Sequence, residues 1–181
     1  GPWNQNKYTK NKKGHPKGSI FWGSSGPLRN GKGSCYEGGY RLPCIVRWPG
    51  KVPAGRESDA VLATIDFMPT FAKLSDFKIP ADRVIDGIDQ TDLLLGNSKK
   101  GRETFYFDRA GIRKGKWKYL KAKAHFYGYA REDDRPLEEE LYDLEKDLGE
   151  TTNLAKKHPK VVAELRKLTE ELPAYRPDER R

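Results

Sequence analysis

The stretch GPLRNGKGSCYEGGYRLP, residues 26–43, places one lysine on a backbone rich in glycine. Lys32 lies between two glycines, and a second pair, Gly38-Gly39, follows the acidic Glu37. Glycine lets backbone N–H groups approach an anion and allows turns with positive φ, while lysine adds a compact charge with three donors. The pattern suits either a site for a sulfate or phosphate group or a plain surface turn. It is not a P-loop, because the spacing GxxxxGK[ST] does not occur.

The chain becomes apolar directly after this stretch. Residues 40–50, YRLPCIVRWPG, have an almost wholly apolar centre, which predicts a strand covered on both faces. Residues 63–76 predict a helix capped by Asp66 or Thr64. The apolar stripe of that helix consists of Phe67, Phe71 and Leu74.

The second half of the chain has the pattern of an antiparallel meander followed by a helix. Residues 103–108 alternate like a strand, and 110–122 predict a hairpin that turns at Lys114-Gly115. Residues 140–155 predict a strand and a loop, and Pro159 opens a terminal helix with one apolar face. The predicted fold class is α/β, with residues 1–97 forming part of an α/β body. Residues 98–181 then form a small α+β subdomain, an antiparallel sheet packed with the terminal helix.

The positive charge of the chain is concentrated at its start. The 181 residues carry a net charge of +9, and residues 1–57, with eleven Lys/Arg and two Glu, account for all of it. Such a local field attracts anions, which include nucleic acid, sulfated or phosphorylated substrates and acidic membrane surfaces. Nucleic acid is disfavoured, because the basic region lacks interleaved aromatics on a sheet, a zinc-finger framework and a helix-turn-helix pattern.

The two cysteines, Cys35 and Cys44, are compatible with a disulfide or with two buried free thiols. With three histidines at no ligand spacing, they do not form a metal site by themselves. The sequence shows no secretory signal and no apolar run long enough to cross a membrane. Glu37 and Arg41 flank the glycine pair and predict an ion pair that fixes the turn. Trp48 is predicted to lie in a core.

Beyond these local patterns, the string GPLRNGKGSCYEGGYRLPCIVRWPGKVPAG, from residue 26, resembles the type I sulfatase family. Further segments follow in the order expected for the C-terminal part of arylsulfatase-like enzymes: TIDFMPTFAKLS, IDGIDQTDLLLG, GIRKGKWKYL and ELYDLEKDLGETTNLA. The resemblance covers residues 19–172. It implies an alkaline-phosphatase-like body and hydrolysis of a sulfate ester by the full-length enzyme.

The resemblance also implies a calcium ion and a formylglycine nucleophile. Formylglycine arises from a C/S-x-P/A-x-R motif, which neither Cys35 nor Cys44 fits. The family's calcium ligands precede the stretch that this chain matches. We therefore expect no metal ligand here, both groups upstream of residue 1, and an isolated chain that is inactive.

Two residues are candidates for the site by resemblance. Lys32 matches the lysine of the family's GKGT motif, which contacts sulfate, and is expected to be both a catalytic and a substrate-binding residue. His15 lies in a loop that faces the substrate cleft in many relatives and is a candidate for substrate binding. The expected partners are a sulfated small molecule or sulfated glycan and the remainder of the sulfatase chain, without nucleic acid or membrane.

Two other functions remain open at this stage. The chain is compatible with a non-catalytic module that binds anionic glycans through its basic loop. It is also compatible with a phosphate or phosphonate monoester hydrolase of the same superfamily, because a lysine serves any tetrahedral oxyanion. The family resemblance implies a periplasmic, secreted or lysosome-like location.

Overall fold

The computed structural model describes residues 24–82, 84–123 and 138–172. His15 and the basic loop around it lie outside these residues. The helices are α1 (Glu37–Tyr40), α2 (Phe67–Leu74), α3 (Thr91–Leu95) and α4 (Pro159–Glu170), and a 3₁₀ turn, Thr64–Asp66, precedes α2. The strands are β1 (Thr104–Phe107), β2 (Gly111–Lys114), β3 (Trp117–Leu120) and β4 (Glu140–Asp143).

The described residues form two compact units. One, here called the sheet unit, contains the described residues up to Leu42 and from Tyr106 onwards. The other, the helical unit, is Pro43–Phe105. The boundary at 97/98 between two domains of the full-length protein stays a prediction from the sequence.

The sheet of the described residues has the order β1-β2-β3-β4, and its local elements were predicted correctly. β2 and β3 form an antiparallel hairpin around Gly115, which has a φ of 55°, a left-handed conformation that glycine adopts at the lowest steric cost. β4 pairs antiparallel with β3. Pro159 is the first residue of α4, where its missing N–H costs nothing.

One face of this sheet packs against α4. Ile112, Tyr119 and Leu141 are neighbours across β2, β3 and β4, and each is at most 1% exposed. Val162 and Leu165 of α4 complete this core. The apolar face predicted for the terminal helix is therefore confirmed for these two residues, each contributing about 1.5–3 kcal/mol by burial.

The opposite face of the sheet carries polar side chains that are nevertheless buried. Lys118 pairs with Tyr142 across β3 and β4, and Glu140 lies opposite Leu120. The segment that contains Tyr36 and α1 contacts this face through Glu140 and Lys118. The sheet is thus covered on both faces, one by a helix and the other by the glycine-rich stretch.

In the helical unit, the helix predicted over 63–76 forms as the 3₁₀ turn and α2. Of the two predicted caps, Asp66 is the N-cap residue of α2, but its side chain makes no capping bond to that helix. Instead, the buried Asp66 carboxylate accepts hydrogen bonds from the N–H groups of Ala63 and Ile88 and from the Arg102 guanidinium. The predicted stripe is only partly buried, since Phe71 is 55% exposed and stacks on Phe67.

The strand predicted over residues 40–50 is wrong for the described structure. Residues 41–48 have no regular secondary structure, and Leu42 and Ile45 are 65% and 93% exposed. A strand needs a neighbouring strand for its backbone hydrogen bonds, and none of the described strands pairs with this segment. Trp48, predicted to lie in a core, is also exposed.

Both cysteines are free thiols. Cys35 is buried, as predicted, but Cys44 lies on the exposed segment that failed to form a strand. The prediction that both thiols are buried is therefore wrong for Cys44. None of the helices in the described residues is long and apolar enough to cross a membrane.

Candidate functional site

Lys32 lies at the exposed tip of a tight turn, Asn30–Ser34, here called the Lys32 turn. Asn30 and Gly33, which enclose the lysine, have φ of 63° and 89°. The Ser34 N–H and hydroxyl both donate to the Gly31 carbonyl oxygen, at 3.2 and 2.8 Å. These bonds fix the backbone on either side of Lys32.

The glycine pair of α1 forms the seat beneath this turn. A Cβ at Gly38 would lie 2.2 Å from the Asn30 carbonyl oxygen, and one at Gly39 would lie 2.3 Å from that of Ser34. Such contacts are too short for any real side chain. The Gly38 N–H also donates to the Arg29 carbonyl oxygen at 2.9 Å. These two glycines therefore permit close packing of α1 against the turn.

Arg29 ties the first end of the Lys32 turn to β4. Its Nη1 donates to the Tyr142 hydroxyl at 2.7 Å and to the Glu150 carbonyl oxygen at 3.2 Å. The guanidinium lies over the Tyr36 ring, 3.6 Å from the ring centroid, and the Tyr36 hydroxyl donates to Glu140 Oε2 at 2.9 Å. The turn is thereby connected to β4 through the residue that directly precedes it.

A buried ionic cluster of Lys118, Glu37 and Glu150 ties down the other end. Lys118 Nζ donates to Glu37 Oε1 at 2.8 Å and lies 2.9 Å from Glu150 Oε1 as an ion pair. The three side chains are at most 3% exposed. Glu150 Oε2 accepts a hydrogen bond from the Glu37 N–H at 2.6 Å. Arg41 pairs with the second oxygen of Glu37, which confirms the predicted ion pair.

The two carboxyl groups of this cluster differ in their pKa. Burial raises the pKa of Glu37, but Lys118 and Arg41 outweigh it and hold that pKa below its usual value. Burial also raises the pKa of Glu150, and there Lys118 does not outweigh it. Of the two carboxyl groups, Glu37 is therefore the one whose ionised form the cluster favours.

This difference predicts unequal costs for two otherwise similar substitutions. Glu37→Gln removes the ionised partner of a buried lysine and should lower the free energy of unfolding by about 3–5 kcal/mol. Glu150→Gln keeps an acceptor for the Glu37 N–H and leaves the Lys118–Glu37 pair, so it should cost about 1 kcal/mol. Urea denaturation of the two variants checks this ranking, and equal losses would contradict it.

The contribution of Glu150 to the free energy of unfolding also depends on pH. Since its folded pKa is raised above the unfolded value, Glu150 contributes stability below the unfolded pKa and loses it as pH rises through the folded pKa. In urea denaturation at a series of pH values, the deficit of Glu150→Gln relative to wild type should therefore shrink as the pH rises above the unfolded pKa of about 4.3.

The structure does not test the other candidate from the sequence. His15 lies outside the described residues. In 24–82, 84–123 and 138–172, no group of three or more His, Cys, Asp or Glu side chains could hold a metal ion. These residues therefore do not fit the calcium site that the resemblance implies, and no step of the chemistry is assigned to a metal bound by them.

Sequence reasoning missed the residues that support the turn, namely Arg29, Lys118 and Glu150. Arg29 and Glu150 both lie inside the quoted motifs GPLRNGKGS and LYDLEKDLGETTNL, which was the available signal. Lys118 gave none, because Lys114, Lys116 and Lys118 alternate along the sequence as on an exposed face.

Comparison with known proteins places this arrangement in a family. Residues 31–176 match the family described as N-sulphoglucosamine sulphohydrolase, C-terminal. The N-acetylgalactosamine-6-O-sulfatase of Bacteroides thetaiotaomicron is 38% identical over 152 residues, covering 80% of this chain and 30% of that protein. Human arylsulfatase A is 34% identical over 177 residues, covering 81% and 33%.

A solved structure gives the same result for the fold. It comes from work on the metabolism of multiple glycosaminoglycans by Bacteroides thetaiotaomicron and superposes with a TM-score of 0.70 at 37% identity. The match covers 81% of this chain and 32% of the other. The chain thus spans about a third of the length of these relatives. The predicted sulfatase fold is confirmed, and the chain belongs to the sulfatase family, matching its C-terminal portion.

Proposed function

We propose that this chain is the C-terminal portion of a sulfuric ester hydrolase, and that Lys32 contacts the sulfate group of its substrate. The observation that supports this most directly is the Lys32 turn. An exposed cation stands on a backbone fixed by Arg29 at one end and by the Lys118 cluster at the other. Such a fixed cation suits recognition of a tetrahedral oxyanion.

Lys32 accelerates the reaction by stabilising charge on the sulfuryl oxygens. Its ammonium also attracts the sulfate ester in the ground state, and that part of the interaction improves binding without raising kcat. The contribution to the rate comes from the additional stabilisation as charge is redistributed during S–O cleavage. Because the turn fixes the backbone at Lys32, little backbone reorganisation is needed in the transition state. Preorganised charge lowers the barrier most effectively under that condition.

We assign the formylglycine nucleophile and the calcium ion to the part of the enzyme upstream of these 181 residues. The formylglycine would supply the nucleophile for sulfuryl transfer, and the calcium ion, when bound, would act as a Lewis acid at the sulfate. The length of the relatives supports this assignment, because the matched portion is only their last third or less. The described residues then contribute Lys32 and the side chains that hold the Lys32 turn in position.

We further propose a sulfated sugar as the substrate. One relative is named for a sulfated N-acetylgalactosamine, and the solved neighbour comes from work on glycosaminoglycans. A sulfated small molecule is the alternative within the same reaction class. Nucleic acid and membrane are not among the proposed partners, and we propose a periplasmic, secreted or lysosome-like location.

Expression of the chain together with its upstream coding sequence tests the proposed function. The full-length protein should hydrolyse an aryl sulfate or a sulfated sugar, whereas the isolated 181-residue chain should be inactive. Parallel assays with a phosphate monoester and a phosphonate monoester test the rival specificity. A preference for phosphorus esters would show that the enzyme is a phosphate or phosphonate monoester hydrolase. Binding of a sulfated glycan without turnover would show that the protein is a non-catalytic binding module. Robust turnover by the isolated chain would contradict the assignment of the nucleophile.

A further inference from the structure

We infer that Lys118 is a positioning residue for Lys32, acting through Glu37 and the glycine pair of α1. This inference rests on the proposed function of Lys32 as the sulfate contact. It assigns to the C-terminal sheet a role in catalysis, namely to hold the turn that presents the lysine. Lys118 does not touch the substrate in this proposal.

The first step runs from the sheet to α1. Lys118 is fixed by β3, whose residues pair with β2 on one side and β4 on the other. Its ammonium donates to Glu37 at 2.8 Å, while Glu150 accepts the Glu37 N–H at 2.6 Å. Both the side chain and the backbone of Glu37 are therefore held, and α1 begins at this residue.

The second step runs from α1 to the turn. Gly38 and Gly39 follow Glu37 directly, and they lie so close to the Asn30 and Ser34 carbonyl oxygens that no Cβ fits between. The Gly38 N–H donates to the Arg29 carbonyl oxygen, just ahead of Asn30. A displacement of Glu37 would disrupt these contacts, and the Lys32 turn would lose the packing surface that α1 provides.

The chemistry of the cluster favours positioning over simple stabilisation. Burying an ion pair costs desolvation energy, and an apolar replacement of similar volume is often as stable. Charged partners at hydrogen-bond distance, however, permit fewer arrangements than apolar contacts do. The contacts with Lys118 and Glu150 thus hold Glu37 in one position. The Lys32 turn, which packs against the glycines that follow Glu37, is held in position as a result.

The test is a double-mutant cycle in the full-length enzyme, with kcat/KM for an aryl sulfate as the readout. Lys118→Met, which keeps an unbranched side chain one heavy atom shorter and removes the charge, should lower kcat/KM on the order of 10- to 100-fold, as loss of supporting contacts does elsewhere. In a Lys32→Ala background the same substitution should cost less than about twofold, since no lysine remains to be positioned. Equal losses in both backgrounds would overturn the inference.

Two control variants separate positioning from general loss of stability. Leu165→Ala opens a cavity in the core on the α4 face and should lower the melting temperature while leaving kcat/KM at its wild-type value below the transition. Lys114→Met removes an exposed lysine of β2, which pairs with Glu164 of α4, and should change neither property appreciably. Should Lys118→Met fail to fold, Glu37→Asp shortens the same link by one methylene, and its loss should likewise vanish in the Lys32→Ala background.

Hydrogen exchange tests the structural half without relying on activity. The amides of residues 30–39 should exchange at least about tenfold faster in Lys118→Met than in wild type, and at the wild-type rate in Leu165→Ala. Unchanged exchange at these amides in Lys118→Met would overturn the inference even in an active sulfatase. If the full-length protein instead lacks sulfatase activity while the exchange result is as expected, the proposed function fails and the support of the turn by Lys118 stands.

Discussion

Replacing Lys32 by alanine in the full-length enzyme is expected to lower kcat for a sulfate ester by about 10²–10³-fold, equivalent to roughly 2.7–4 kcal/mol in the barrier. The physical reason is loss of one preorganised cation at the oxygens where charge is redistributed in the transition state. The turn itself should survive, because its hydrogen bonds join Ser34 to Gly31 and do not require the Lys32 side chain. The melting temperature should therefore stay near that of wild type.

Steady-state kinetics with one aryl sulfate measure this effect, and Lys146→Ala is the matched control. Lys146 is another exposed lysine of the sheet unit, in the turn after β4, and its removal should leave kcat unchanged. Lys32→Arg keeps the charge but changes the donor geometry and should recover only part of the loss. Wild-type values of both kcat and KM in Lys32→Ala would refute the sulfate contact.

The sequence predicted the sheet unit well because its signals are local. The hairpin of β2 and β3 needs only a glycine at the turn and alternation on either side, and α4 needs only proline at its start and a periodic apolar face. The segment over residues 40–50 is different, because an apolar run becomes a strand only where neighbouring strands exist. Its apolar run suits a strand with a neighbour on each side, and the described residues do not provide such neighbours.

The site shows the same division between local and distant information. Lys32 was recognisable from its flanking glycines and from the family motif around it. Lys118 was not, because Lys114, Lys116 and Lys118 alternate along the chain like the exposed face of a strand. Its burial results from contact with Glu37, which lies 81 residues away in the sequence. A contact of that separation leaves no periodic signal in either segment.

In the helical unit, Asp66→Asn is expected to lower the free energy of unfolding by about 3–5 kcal/mol. All partners of the buried carboxylate are donors: the N–H groups of Ala63 and Ile88, and the guanidinium of Arg102. An asparagine amide would turn its NH₂ group toward two of these donors and leave the largely buried Arg102 without its counter-charge. The nearly isosteric substitution is therefore costly for electrostatic rather than steric reasons.

The pH dependence of this loss identifies the carboxylate as its cause. Burial raises the pKa of Asp66, but the hydrogen bonds from Arg102, Ile88 and Ala63 outweigh it and hold that pKa below its usual value. A depressed folded pKa contributes stability above the unfolded pKa and loses it as pH falls through the folded value, so the deficit of Asp66→Asn should shrink below about pH 4. Asp76→Asn is the control, because Asp76 is exposed with a φ of 54°, a conformation that asparagine also adopts. Equal urea midpoints for the two variants at neutral pH would mean that Asp66 does not hold this unit together, whereas a deficit confined to Asp66→Asn and lost in acid can only come from its ionised carboxylate.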